Sequence, residues 1–249
     1  MYKKLLLSLG AIALTVSAFA QTNLQTFYDF GKDRKSVTLT FEMFKNDNWG
    51  NTFFFIDENI GIDDSMTQNV SVNDNYFELA RCFNFWQDSK LGAFSLQLEY
   101  NGGLHLGDAT KDGIFGINHA VLAGVDYCLH SNDWKDVFNF KVLYKKIRGA
   151  EEGIPLQFTF VWGIDDLFGA KGLRFSGFAD FWWQKHMLYP NPYFETQGGE
   201  SSSIFISEPQ LWYALGEHLN IGGEVELAAD FGSTKGFVAR PCLGIKWNF

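Results

Sequence analysis

The strongest constraint in this chain is a two-residue rhythm that recurs about a dozen times and is cleanest over residues 236–249. Phe237, Ala239, Pro241, Leu243, Ile245, Trp247 and Phe249 fall on one face. Val238, Arg240, Cys242, Gly244, Lys246 and Asn248 fall on the other. Side chains on an extended strand alternate faces, so this is a ribbon apolar or small on one side and mostly polar or small on the other. The same rhythm sets Phe94, Leu96, Leu98 and Tyr100 against Ser95, Gln97, Glu99 and Asn101. It sets Leu156, Phe158, Phe160 and Trp162 against Gln157, Thr159 and Gly163. An edge strand of a secreted β-sandwich shares this local pattern, so strand number and spacing must separate the architectures.

Twelve such segments are predicted, near residues 24–30, 37–44, 52–57, 75–86, 94–101, 113–128, 138–145, 156–163, 173–183, 203–213, 219–230 and 236–249. The tenth is the least regular and carries Pro209. The fourth puts Arg81 on its apolar side, which requires a bulge or an interface position. The second, fourth, sixth, eighth and tenth connections are compact, whereas the long ones, residues 58–74, 102–112 and 185–202, are the third, fifth and ninth. An even strand count with short turns at one end and longer loops at the other is what a single-chain bacterial barrel needs. Trp49, Trp86 and Trp134 lie at the short-turn ends, where an aromatic girdle belongs. The expected fold is therefore all-β: a transmembrane antiparallel β-barrel of about twelve strands. The final strand resembles the closing strand of bacterial outer-membrane barrels, in which a C-terminal Phe is the assembly signal. That resemblance implies the barrel-assembly machinery as a partner.

The beginning of the chain fits export. Lys3 and Lys4 precede an apolar run over residues 5–16 and an Ala18-Phe19-Ala20 site, the layout of a cleaved secretory signal. The expectation is a signal peptide over residues 1–20, then one barrel domain over residues 21–249 in the outer membrane of a Gram-negative bacterium. Loss of Lys3 and Lys4 moves the formal charge from −9 to −11, and an acidic chain without a basic block is a poor partner for nucleic acid. Cys82, Cys128 and Cys242 show no short-spaced pairing and no C-x-x-C, so they read as thiols. No cofactor or metal motif is present. Asp57, Glu58, Asn59, Asp63 and Asp64 lack the full spacing of a calcium loop.

Strand parity also selects the lumen. It sends Glu42, Glu78, Glu99, Lys141, Arg174, Asp180, Glu224 and Glu226 inward, together with Phe44, Tyr76, Phe178 and Trp182. Twelve strands fall between small barrels filled by side chains and wide aqueous porins, which suits a constricted pore for one small solute. Aromatic faces stack on a flat base and carboxylates accept bonds from ribose hydroxyls. The candidate binding residues are Glu42, Phe44, Tyr76, Glu78, Glu99, Arg174, Phe178, Asp180, Trp182 and Glu224. The same residues also fit a charge lattice filling a closed barrel, because buried charges must pair whatever the cargo.

Residues Leu39-Thr40-Phe41-Glu42-Met43-Phe44-Lys45-Asn46-Asp47-Asn48-Trp49, followed by Phe53-Phe54-Phe55-Ile56-Asp57, resemble the early strand pair of the Tsx-type nucleoside-specific channels. Lys111-Asp112-Gly113, Gly177-Phe178-Ala179-Asp180-Phe181-Trp182 and Lys246-Trp247-Asn248-Phe249 extend the likeness in the same order. The resemblance implies a monomeric twelve-stranded barrel in outer-membrane lipid through which nucleosides diffuse, with aromatic and ionisable lumen residues binding base and sugar. Two other functions stand beside it: a structural or surface-interaction barrel with a closed lumen, and a barrel-borne hydrolase. A serine hydrolase needs a His within reach of a Ser. None of His105, His119, His130, His186 and His218 is followed two residues later by Ser, and the expectation is no enzyme.

Overall fold

The computed structural model describes residues 21–33, 35–61, 71–106, 115–151, 153–232 and 234–249. Residues 1–20, the acid pair Asp63-Asp64 and Lys111-Asp112-Gly113 lie outside that set. The strands follow one another as a meander: β1 Gln21–Asp29, β2 Ser36–Asp47, β3 Gly50–Gly61, β4 Ser71–Phe83, β5 Phe94–His105, β6 Phe115–His130 and β7 Asp136–Ile147. Then come β8 Leu156–Ile164, β9 Leu173–Leu188, β10 Gly199–Ser207, β11 Gln210–Ala214, β12 Leu219–Ala229 and β13 Phe237–Asn248. All pairings between these strands are antiparallel, and β1 pairs with β13, from Asn23 opposite Asn248 to Asp29 opposite Cys242. The sheet is closed, so no strand edge is left to template aggregation.

β10 and β11 are two halves of one stave, because each lies between β9 and β12. The barrel thus has twelve staves. The break falls at Glu208 and Pro209, since proline has no N–H to give the ladder. Neighbours repair it: the Glu208 N–H donates to the Phe178 carbonyl at 3.1 Å, and the Val225 N–H donates to the Pro209 carbonyl at 3.1 Å. Gly177 faces this break at φ 153°, where an added Cβ would sit 2.8 Å from the Trp162 ring and would also strike the Glu208 carbonyl.

Outward faces are apolar and open. Leu96, Leu98, Val121, Val142, Phe158, Ile221, Leu243 and Ile245 are each between 43% and 64% exposed, which water would not tolerate as one continuous belt. Inward neighbours such as Gln25, Gln97, Asn101, Asp126 and Gln157 are at most 3% exposed. Hydrophobic residues outside and polar residues inside is the arrangement of a barrel in lipid. Short turns share a rim with the chain ends, where the Phe249 N–H donates to the Thr22 carbonyl at 3.0 Å. Trp49 and Trp134 stand exposed on that rim.

Two local departures from simple parity are explained. Arg81 does face outward, at the short-turn rim, where Nη1 and Nη2 meet Asp47 at 2.7 and 2.9 Å and Nη1 also meets Thr52 Oγ1 at 3.0 Å. It occupies an interface position, with no bulge at its own site. A bulge between Asn101 and Gly103 shifts the β5–β6 register. Ile117, expected on the apolar face with Val121, therefore lies opposite inward-facing Gly103 instead.

Candidate functional site: the barrel lumen

All ten candidate residues lie on the inner face, at different heights. Near the short-turn end, Glu42 accepts from Asn23 Nδ2 at 2.9 Å and Glu224 accepts from Gln210 Nε2 at 2.9 Å. Arg174 donates from Nη1 to Asp165 in the turn at 2.5 Å. Lys246 sits among Glu42, Glu224, Arg174 and Asp165, with Nζ 4.2 Å from the centroid of the Trp212 ring. Trp212 and Phe27 pack with centroids 5.5 Å apart, both at most 2% exposed, and narrow this end.

The middle of the lumen holds the denser site. Glu78 on β4 accepts from the Tyr76 hydroxyl at 2.9 Å and from Asn101 Nδ2 at 3.2 Å. Glu99 on β5 accepts from Gln97 Nε2 at 2.6 Å, and Asp180 on β9 accepts from the Thr159 hydroxyl at 2.5 Å. These strands lie on nearly opposite walls, yet Glu78, Glu99 and Asp180 act on one another electrostatically. Lys145 completes the group: Nζ donates to Gln157 Oε1 at 2.6 Å and lies 3.8 Å from the centroid of Trp182.

Trp182 is not an open stacking face. One side carries Lys145, and the ring is 4% exposed inside an apolar cluster with Ala120, Leu122, Leu143, Ile204 and Ile206. Phe178 packs against the same cluster. Parity alone leaves this patch unremarked, because Leu122 and Leu143 alternate as regularly as the polar residues they replace. The available aromatic surface lies across the lumen, where Phe53 and Phe55 have centroids 5.9 Å apart and Phe55 and Tyr76 6.0 Å. Phe53, Phe55 and Asp57 are further inward residues, opposite Phe44, Glu42 and Thr40. The run Phe53-Phe54-Phe55 hides its parity, since both faces carry the same side chain. Continuing the alternation from Asp57 would have found them.

At the loop end, Arg240 on β13 joins Asp33, through Nη2 at 2.7 Å, to Glu226, through Nη1 at 2.5 Å. Asn191 Nδ2 donates to Asp33 at 3.0 Å, and the Phe194 ring lies 5.5 Å from the Arg240 guanidinium carbon. Burial alone would raise the Asp33 carboxyl. Its bonds to Arg240 and that charge outweigh burial and hold it below the usual range. The segment 189–198 is thereby strapped to the loop after β1, and Asn191 Nδ2 also donates to the Thr234 hydroxyl at 3.2 Å. All three cysteines are thiols.

A closed antiparallel barrel, apolar outside, charged inside and girdled by tryptophan, is an integral outer-membrane protein of the Gram-negative type. The chain belongs to the family DUF5020, described as a domain of unknown function, whose model matches residues 20–249. No curated protein matches it in sequence. Among solved structures it is similar to a NanC porin, with 6% identity over 92% of this chain and 100% of that one, at a TM-score of 0.54. It is also similar to outer membrane phospholipase A from Escherichia coli, with 12% identity over 92% of each chain, at 0.51. A porin and a phospholipase on one architecture show that function must be argued from the lumen.

Proposed function

We propose that the barrel is a passive, non-enzymatic channel for small solutes, with nucleosides or similarly sized flat solutes as cargo. The observation that carries this reading is an inward aromatic ladder, Phe53, Phe55 and Tyr76, set beside the hydrogen-bond acceptors Glu78 and Glu99 on the same side of the lumen and facing Asp180 on the β9 wall. Flat rings bind a base by stacking, and the carboxylates accept from sugar hydroxyls. The resemblance to Tsx-type channels implies the same cargo. One domain, a monomer and assembly by the barrel machinery complete the proposal.

The apolar inner patch around Leu122 and Leu143 and the strap at Arg240 favour a second reading, a structural barrel whose lumen stays closed. Planar-bilayer recording separates the two. The channel reading expects discrete conductance that adenosine blocks better than glucose or AMP. Absence of conductance over many insertions supports the closed barrel, and equal block by adenosine and glucose rejects the nucleoside assignment.

A further inference from the structure

Asn101 occupies an unusual position in the lumen. It faces inward on β5, directly opposite Glu78, and is 3% exposed. Its Nδ2 donates to Glu78 at 3.2 Å, the amide orientation that matches an ionised carboxylate. Oδ1 is then left buried without a hydrogen-bond partner. Such an atom is costly to leave unmatched and fits a site that receives a donor from outside the protein.

The charges around it call for the same donor. Glu78, Glu99 and Asp180 interact with one another, and Asp126 extends the acidic set beside Lys141. Among the described residues, Lys141 and Lys145 are the cations that act on this acidic set. Lys145 is held to the wall by Gln157 and Trp182, where it forms no contact ion pair with the acids. Glu99 and Asp180 each accept one neutral donor and Glu78 accepts two, both on Oε1, so acceptor capacity remains on these three. They are spread between opposite walls, and no group of three among the described residues is tight enough to hold a metal ion. That spread suits a larger organic cation, whose N–H groups bridge separated acceptors while its body lies on Phe55 and Tyr76.

We infer that Asn101, Glu78, Glu99 and Asp180 form a station for a small organic ammonium, so that the favoured solute is a flat molecule bearing a protonated amine. This deepens the channel reading and rests on a solute-accessible lumen. The test is calorimetric titration of the purified, detergent-solubilised barrel with benzylammonium, benzyl alcohol and benzoate, beside single-channel block by the same three probes. Benzylammonium is expected to bind at least tenfold more tightly than benzyl alcohol, with benzoate weakest. Asn101→Leu and the pair Glu78→Gln/Asp180→Asn should each erase that preference, whereas Asn101→Asp should increase it. Heat-modifiable migration on gels establishes that each variant is folded. Equal binding of the three probes, stronger binding of benzoate, or no binding of any overturns the inference. Ordered binding without conductance retains the ammonium station and rejects the channel.

Discussion

Arg240 on the last strand holds Asp33 in the first outer loop through Nε at 3.0 Å and Nη2 at 2.7 Å. The residues are 207 positions apart, and only barrel closure brings them together. With Arg240 and Asp33 side chains 4% and 12% exposed, this is a largely buried pair. Arg240→Met would take the guanidinium away from Asp33 and Glu226, and breaking such a buried pair costs about 3–5 kcal/mol. Thermal unfolding of the solubilised barrel, followed by circular dichroism, should show a lower midpoint. An unchanged midpoint would mean that water replaces the guanidinium at no cost.

The same contact predicts a pH response. The folded Asp33 carboxyl lies below its ordinary value of 3.8, so the folded state favours the ionised form. Its stabilising contribution is fully present above the unfolded pKa and is lost as pH falls through the lower folded value. Asp230, which also lies beyond its strand, shifts in the same direction: burial raises it, but the Ser201 hydroxyl and the Gly236 N–H outweigh burial. Hydrogen exchange in segments 189–198 and 230–236, corrected for its intrinsic pH dependence, should be flat from pH 7 to about pH 5 and accelerate below about pH 4. Acceleration starting near pH 6 would point to another group.

Gly244 and Gly222 make room for the two rings that narrow the short-turn end. A Cβ on Gly244 would stand 2.7 Å from the Phe27 ring and 2.9 Å from the Thr26 carbonyl oxygen. On Gly222 it would meet the Trp212 ring at 2.8 Å and also strike the Leu211 carbonyl. Each glycine-to-alanine change should destabilise by about 1–3 kcal/mol, the usual range for overpacking. Equal stability in both variants would show that Phe27 and Trp212 are free to swing into the lumen.

Much of this architecture is legible from alternation alone. Leu96 outward and Gln97 inward follow directly from period two. Arg81 does not, because its place depends on where β4 meets the membrane interface and on Asp47 at the end of another strand. The bulge at Asn101 and Gly103 is equally silent in sequence, and it moves Ile117 to the other face. Function is harder still. Parity brought Trp182 inward, but only the fold shows Lys145 seated on its ring, and only the Phe55–Tyr76 spacing shows where an open aromatic surface lies.

The Arg81–Asp47 pair tests how much an interfacial ion pair contributes. Its geometry is bidentate, but the side chains are 21% and 41% exposed, so solvent screening removes most of the attraction. A double-mutant cycle with Arg81→Leu and Asp47→Asn should give a coupling of about 0.2–1 kcal/mol. A coupling several times larger would place the pair deeper in the low-dielectric region than the exposed turn suggests.

The last prediction concerns which aromatic residues hold the cargo. Trp182 is 4% exposed and locked into the apolar cluster, so Trp182→Ala should lower stability by about 3–5 kcal/mol through the cavity it leaves. Phe55 is only partly buried, lies between Phe53 and Tyr76, and faces the lumen. Its truncation should leave the unfolding midpoint near wild type and shorten the residence time of adenosine in single-channel records. Stacking contributes about 1–3 kcal/mol per base, so the block should weaken roughly 5- to 150-fold. AMP should block more weakly than adenosine throughout, since the carboxylates at Glu78, Glu99 and Asp180 repel a phosphate. If Phe55→Ala leaves the adenosine block unchanged while Phe178→Ala abolishes it, the base stacks on the β9 wall instead, and the Phe53–Phe55–Tyr76 ladder serves only to line the barrel.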